Sequence, residues 1–235
     1  MKKFIFLFSF LTFLFGDIRV ATAGNVTFAI KDLVKEFYNK YHIKVTPIIG
    51  SSGKLTAQIT KGAPFDLFLS ANMKYPEYLY KKGIAKIKPK VYAKGKLVLF
   101  ARDGIKNFKE IFDAKRIAIA NPKTAPYGMA TVAYLKNKHI YNRLKSKFVI
   151  GSNVSTTFSY AMKITNYGFV ARSLLFKFPN LNNKKHFVEL DENFYPPIKQ
   201  GVVLISNNPE AKKFYNFLFS KEAKEIFLKY GYSIN

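Results

Sequence analysis

Along the first seventy residues, short apolar runs alternate with small polar turns and with positions that repeat at helical spacing. Residues 17–23 read as a strand, Gly24-Asn25 as a turn, and Ile30, Leu33, Val34 and Phe37 fall on one face of a helix. A second run at 43–49 leads into Gly50-Ser51-Ser52-Gly53-Lys54-Leu55-Thr56-Ala57-Gln58-Ile59, a small-residue turn opening a helix that runs to Lys61. Gly62-Ala63-Pro64 breaks this helix, and 65–70 is a further buried strand, with Asp66 at its start in a structural role. Strand, helix, strand, helix, strand predicts a parallel sheet flanked by helices.

The same device recurs further along. Residues 96–101 read as a strand followed by the loop Arg102-Asp103-Gly104. A second α/β set then begins with strands at 116–120, 147–150 and 167–171 and helices at 129–138 and 155–163. Its turns are Ala125-Pro126-Tyr127-Gly128 and Gly151-Ser152-Asn153-Val154. A strand at 200–206 and helices at 209–219 and 221–229 complete the chain. The pattern predicts two lobes, one of residues 17–101 and 199–235 and the other of 102–198, joined by two crossings. Helix-starting turns from both lobes would face one cleft, since ligands of open α/β sheets collect at the carboxyl ends of strands.

Composition narrows the functional classes. The 235 residues are 49% hydrophobic, enough for a sizeable core and against disorder. Thirty-nine Lys and Arg against fourteen Asp and Glu give a formal charge of +25, which invites nucleic acid as a partner. The cations are spread along the chain without a nucleic-acid-binding motif, so no nucleic acid is expected. Lys2 and Lys3 followed by an apolar run to Phe15 read as an export signal over residues 1–16, with an uncleaved anchor as the rival. No cysteine is present, so neither a disulfide nor a lipid-modified terminus is available.

The chemistry that the pattern offers is neutral. The first N–H groups of a helix have no intrahelical acceptor and sit at the positive end of its dipole, so a small-residue turn there can hold an anion. Ser51 and Ser52 add hydroxyls. The plain alternative is that such residues only cap their helices. The Ser turn departs from the nucleotide-binding loop, which needs four residues between Gly and Gly-Lys followed by Ser or Thr. His42, His139 and His186 stand in unrelated contexts without metal-ligand spacing, and no Gly-x-Ser-x-Gly elbow is present. The chain reads as a non-enzyme with no cofactor.

Five blocks, in order, resemble one family: 50–55, 62–71, 92–99, Ala125-Pro126-Tyr127-Gly128 and the tail 227–232. They are similar to the periplasmic molybdate-binding proteins of ABC transporters. The resemblance implies a type II periplasmic binding protein fold, α/β in class, with two lobes of mixed, mostly parallel sheets closing on molybdate or tungstate. It implies ligand contacts from Ser52 through hydroxyl and N–H, from Asn25 through amide or backbone, and from the backbone N–H of Tyr127 and Val154. Gly24 and Ser51 would line the site more weakly. Gly24 and Ala171 depart from members that carry a hydroxyl at those positions. The implied partners are a membrane permease with its ATPase, the protein itself being a periplasmic monomer. Another tetrahedral oxyanion, sulfate or phosphate, and a membrane-tethered oxyanion sensor are the alternatives.

Overall fold

The computed structural model describes residues 17–234, so the export signal expected at 1–16 lies outside the described residues. In chain order the strands are β1 (Ile18–Ala23), β2 (Val45–Gly50), β3 (Leu67–Ser70), β4 (Lys90–Gly95), β5 (Leu97–Ala101), β6 (Ile117–Ala120), β7 (Phe148–Gly151), β8 (Tyr167–Ala171), β9 (Phe187–Glu189) and β10 (Ile198–Leu204). The helices are α1 (Ala29–Tyr41), α2 (Ser52–Thr60), α3 (Lys74–Lys81), α4 (Pro126–Asn137), α5 (Tyr141–Leu144), α6 (Val154–Tyr160), α7 (Arg172–Leu175), α8 (Pro209–Phe217) and α9 (Lys221–Lys229).

Two five-stranded sheets form, ordered β2-β1-β3-β10-β4 and β7-β6-β8-β5-β9. In each, three parallel strands meet one reversed strand, β10 or β5, which pairs antiparallel on both sides. The sheets are therefore mixed with mostly parallel strand direction, and each anchors one lobe. The inner strands β3 and β6 are buried at every residue, as expected where helices cover both faces of a sheet.

Local sequence explains most helices. Ile30, Leu33 and Phe37 bury one stripe of α1, where Phe37 meets Phe214 and Phe217 at centroid distances of 4.9 and 5.4 Å. His42, at φ 55°, closes α1 in the left-handed conformation. Pro126 and Pro209 occupy first-turn positions that need no N–H, and Asn153, Asn208 and Ser220 cap their helices through side-chain oxygens. Asp66 ties β1 to the end of β10, accepting from the Arg19 N–H at 2.8 Å and the Ser206 hydroxyl at 2.6 Å.

One expectation is corrected. The strand expected at 96–101 and assigned from sequence to the first lobe forms as β5 and pairs with β8 and β9 in the second sheet. The chain crosses between Gly95 and Leu97 rather than near 102. Residues 92–101 form one nearly unbroken β-prone run, and the split between two sheets falls at the Gly95-Lys96 step within it. Gly95 is required there, because a Cβ would fall on the Tyr127 hydroxyl.

Candidate functional site

The carboxyl ends of β1, β2 and β3 face those of β6 and β7 across the cleft. After β1 comes a short 3-10 turn (Gly24–Val26), after β2 the start of α2, after β6 the start of α4 and after β7 the start of α6. All four line one small pocket. Its size suits an ion of a few atoms rather than a drug-sized molecule. Twelve residues line it and none is charged. Asn25, Ser52, Tyr127, Val154, Gly24 and Ser51 are all among them, whereas Ala171, buried at the end of β8, is not.

The donors are of two kinds. The N–H groups of Asn25, Ser52, Tyr127 and Val154 take no main-chain acceptor among the described residues. Ser52 is fully buried, and its Oγ accepts from the Ala71 N–H at 3.0 Å, which fixes the oxygen and leaves its own proton to donate. Ser51 is also buried, at 2% exposure, and its Oγ has no partner among the described residues. A buried hydroxyl without a partner is costly, so this group fits a ligand oxygen as well as Ser52 does. The sequence ranked Ser51 below Ser52; both are buried and line the pocket.

For Asn25 the amide half of the expectation is corrected. Gln200 Nε2 donates to the Ile198 carbonyl at 3.0 Å, so Gln200 Oε1 faces Asn25 and accepts from its Nδ2 at 2.8 Å. The same Nδ2 donates to the Tyr232 hydroxyl at 2.9 Å. Both amide protons are thus spent inside the protein, which leaves the backbone N–H as the donor that Asn25 can offer. Asn25 does not cap α1 either, since that helix starts four residues later behind Phe28.

Tyr127 points its phenol toward Gly95, where the hydroxyl is buried without a partner among the described residues. Burial pushes the Tyr127, Tyr92 and Tyr232 phenols well above their ordinary range, so all three stay neutral around the site. Among the described residues no cluster of three or more His, Cys, Asp or Glu could hold a metal ion directly. What the arrangement can do is replace the hydration shell of a small anion with preorganised neutral dipoles.

The cleft is shut in this structure. The Gly53 N–H donates to the Thr124 carbonyl of the opposite lobe at 2.8 Å, and the Ser173 hydroxyl of α7 donates to the Asn25 carbonyl at 2.9 Å. Glycines permit the approach: a Cβ at Gly24 would lie 2.7 Å from Asn153 Oδ1, and one at Gly53 would lie 2.9 Å from the Thr124 carbonyl oxygen. Sequence reasoning missed Asn153, Ser173, Gln200 and Tyr232. Asn153 stood in the Gly151-Ser152-Asn153-Val154 turn and Tyr232 in the tail block, and neither signal gave a role.

Residues 18–233 match the family of bacterial extracellular solute-binding proteins. The molybdate-binding protein ModA of Rhodobacter capsulatus is 35% identical over 226 residues, covering 92% of this chain and 88% of that protein. ModA of Azotobacter vinelandii is 34% identical, with 93% and 90% covered. The solved periplasmic molybdate-binding protein of Azotobacter vinelandii superposes with a TM-score of 0.87 at 28% identity, over 93% of this chain and all of that one.

Proposed function

The chain belongs to the bacterial extracellular solute-binding protein family, among the ModA molybdate-binding proteins, and from that premise we propose that it captures molybdate or tungstate in the interlobe cleft and hands it to a membrane permease. The family is one of binding proteins rather than catalysts. The observation that carries the reading is the convergence of four free backbone N–H groups and two buried serine hydroxyls, without any charged side chain, on one small pocket.

Neutral donors suit a protein that must bind and then release. A buried lysine would be left unpaired and costly whenever the site emptied, whereas helix-start N–H groups can return to water as the lobes part. The contacts are assigned as follows: Ser52 and Ser51 through their hydroxyls, and Asn25, Ser52, Tyr127 and Val154 through backbone N–H. Gly24 lines the wall and lets α6 approach. The ion is cargo held as an oxyanion, and the protein needs no resident cofactor. We place the protein in the periplasm, exported by its first sixteen residues and working as a monomer beside a permease and its ATPase. The dense positive charge outside the pocket speeds encounter with anions without entering the site.

Calorimetric titration of the protein with molybdate, tungstate and sulfate tests this. Heat from molybdate or tungstate, with sulfate silent, is the expected result. No heat from any of the three refutes the reading.

A further inference from the structure

The Asn25 carbonyl is held from both lobes at once. The Tyr232 hydroxyl, from the C-terminal segment packed on the first sheet, donates to it at 2.9 Å, and the Ser173 hydroxyl donates from the second lobe at 2.9 Å. Gln200 and Tyr232 also hold the Asn25 amide, so one residue is fixed by three side chains 148 to 207 positions away in sequence. All four residues are buried, at 1% for Asn25, 4% for Ser173, 0% for Gln200 and 3% for Tyr232. None of Ser173, Gln200 and Tyr232 lines the pocket.

We propose that Ser173 and Tyr232 are positioning residues for the anion site, which together form an interlobe latch on the Asn25 carbonyl and set how long the closed cleft keeps its ion. The two halves of the latch differ in kind. Tyr232 and Gln200 belong to the same lobe as Asn25 and hold its turn in place whether the cleft is open or shut. Ser173 reaches Asn25 from the second lobe, and in this proposal its hydrogen bond belongs to the closed form and shifts the open–closed balance by its own free energy. Removing Ser173 leaves the Asn25 carbonyl still satisfied by Tyr232, so no buried acceptor is orphaned and neither lobe is destabilised. A latch on the peptide that follows the Asn25 N–H couples closure to a ligand donor without itself touching the ligand.

The inference rests on the oxyanion reading for its effect on release, and its effect on closure is measurable without any ligand. The experiment places one probe on each lobe of the full protein, reads the interlobe distance without ion, and then follows release of molybdate by stopped flow. Ser173→Ala is expected to lengthen the mean interlobe distance, to release molybdate about three- to ten-fold faster, and to keep the thermal midpoint of the ion-free protein, in line with one net hydrogen bond confined to the closed state. Tyr232→Phe is expected to speed release as well and to lower the thermal midpoint, because it also strips a partner from the Asn25 amide. An interlobe distance and a release rate equal to wild type in Ser173→Ala overturn the latch. If that variant does not fold, an unchanged release rate in Tyr232→Phe overturns it. If wild type binds no oxyanion, the interlobe distances alone decide, and failure of the oxyanion reading is thereby separated from failure of the latch.

Discussion

The two lobes share one strand order and present different polar groups to the pocket. Each places a strand, a small-residue turn and a helix start at the same point of its sheet: β2 and Gly50-Ser51-Ser52 in the first, β7 and Gly151-Ser152-Asn153 in the second. In the first lobe the hydroxyls face the pocket, with Ser51 unpartnered and Ser52 held by the Ala71 N–H. In the second lobe the corresponding polar side chains are turned back on the helix. Asn153 Oδ1 accepts from the Thr156 N–H at 3.0 Å and the Ser152 hydroxyl lies 3.2 Å from that of Thr156. The second lobe thus turns the start of α6 toward the pocket, with no main-chain acceptor for the Val154 N–H among the described residues. On the proposed reading the first lobe is tuned by side-chain substitution and the second chiefly by altering the main chain.

Mutations can break this contrast, and the largest effect is expected from preventing the lobes from meeting. Gly53→Val puts side-chain carbons against the Thr124 main chain across the cleft and against the Tyr75 hydroxyl of its own lobe. It should cost at least about 100-fold in molybdate affinity, or about 2.8 kcal/mol, with both lobes still folded by circular dichroism.

Next come the donors themselves. Ser52→Ala and Ser51→Ala should each cost about 1.5–3 kcal/mol in calorimetric affinity, the worth of a hydrogen bond to a charged group. Val154→Ala should change affinity by less than about three-fold, since the backbone N–H survives. Val154→Pro sharpens the contrast. Residue 154 opens α6, where proline is tolerated, and Asn153 already has the extended backbone that precedes a proline. The substitution deletes one N–H without breaking the helix, and its loss should match that of the serine variants. If Val154→Pro binds like wild type, the second lobe is not a backbone donor.

A smaller effect concerns pH. No ionisable side chain lines the pocket apart from the neutral Tyr127, so affinity should stay flat from about pH 6 to 9 in calorimetry. Stability behaves differently. Burial raises the Tyr92, Tyr127 and Tyr232 phenols, and that of Tyr195 to about 12, so the unfolded chain ionises first. The stability these phenols carry is complete below the ordinary tyrosine value near 10 and is lost as pH rises past it. Thermal midpoints should therefore fall steeply only above about pH 10.

The smallest expected effect is that of the surface cations. Lys54→Ala, exposed one turn into α2, should change the molybdate dissociation constant by less than about three-fold and slow association mainly at low salt.

Much of this architecture is legible in the chain because its cues are local. Buried strands are short apolar runs, and the turns at Gly50-Ser51-Ser52 and Gly151-Ser152-Asn153 announce themselves by small polar residues. α3 escaped notice because Lys74-Tyr75-Pro76-Glu77 reads as a break, although proline in a first turn forfeits no helical hydrogen bond. The division of 92–101 between two sheets escaped because β-propensity says that a segment is extended, not which partner it takes.

The sequence by itself determined that strand ends and helix starts would converge with neutral donors, since hydrophobic period and turn chemistry act within a few residues. Tertiary structure alone decided which of those donors remain free. The Asn25 amide is consumed by Gln200 and Tyr232, 175 and 207 residues away, and its carbonyl by Tyr232 and Ser173, while Ser51 keeps an unspent hydroxyl. Those assignments follow from sheet order and lobe closure, which bring together groups that no local pattern relates.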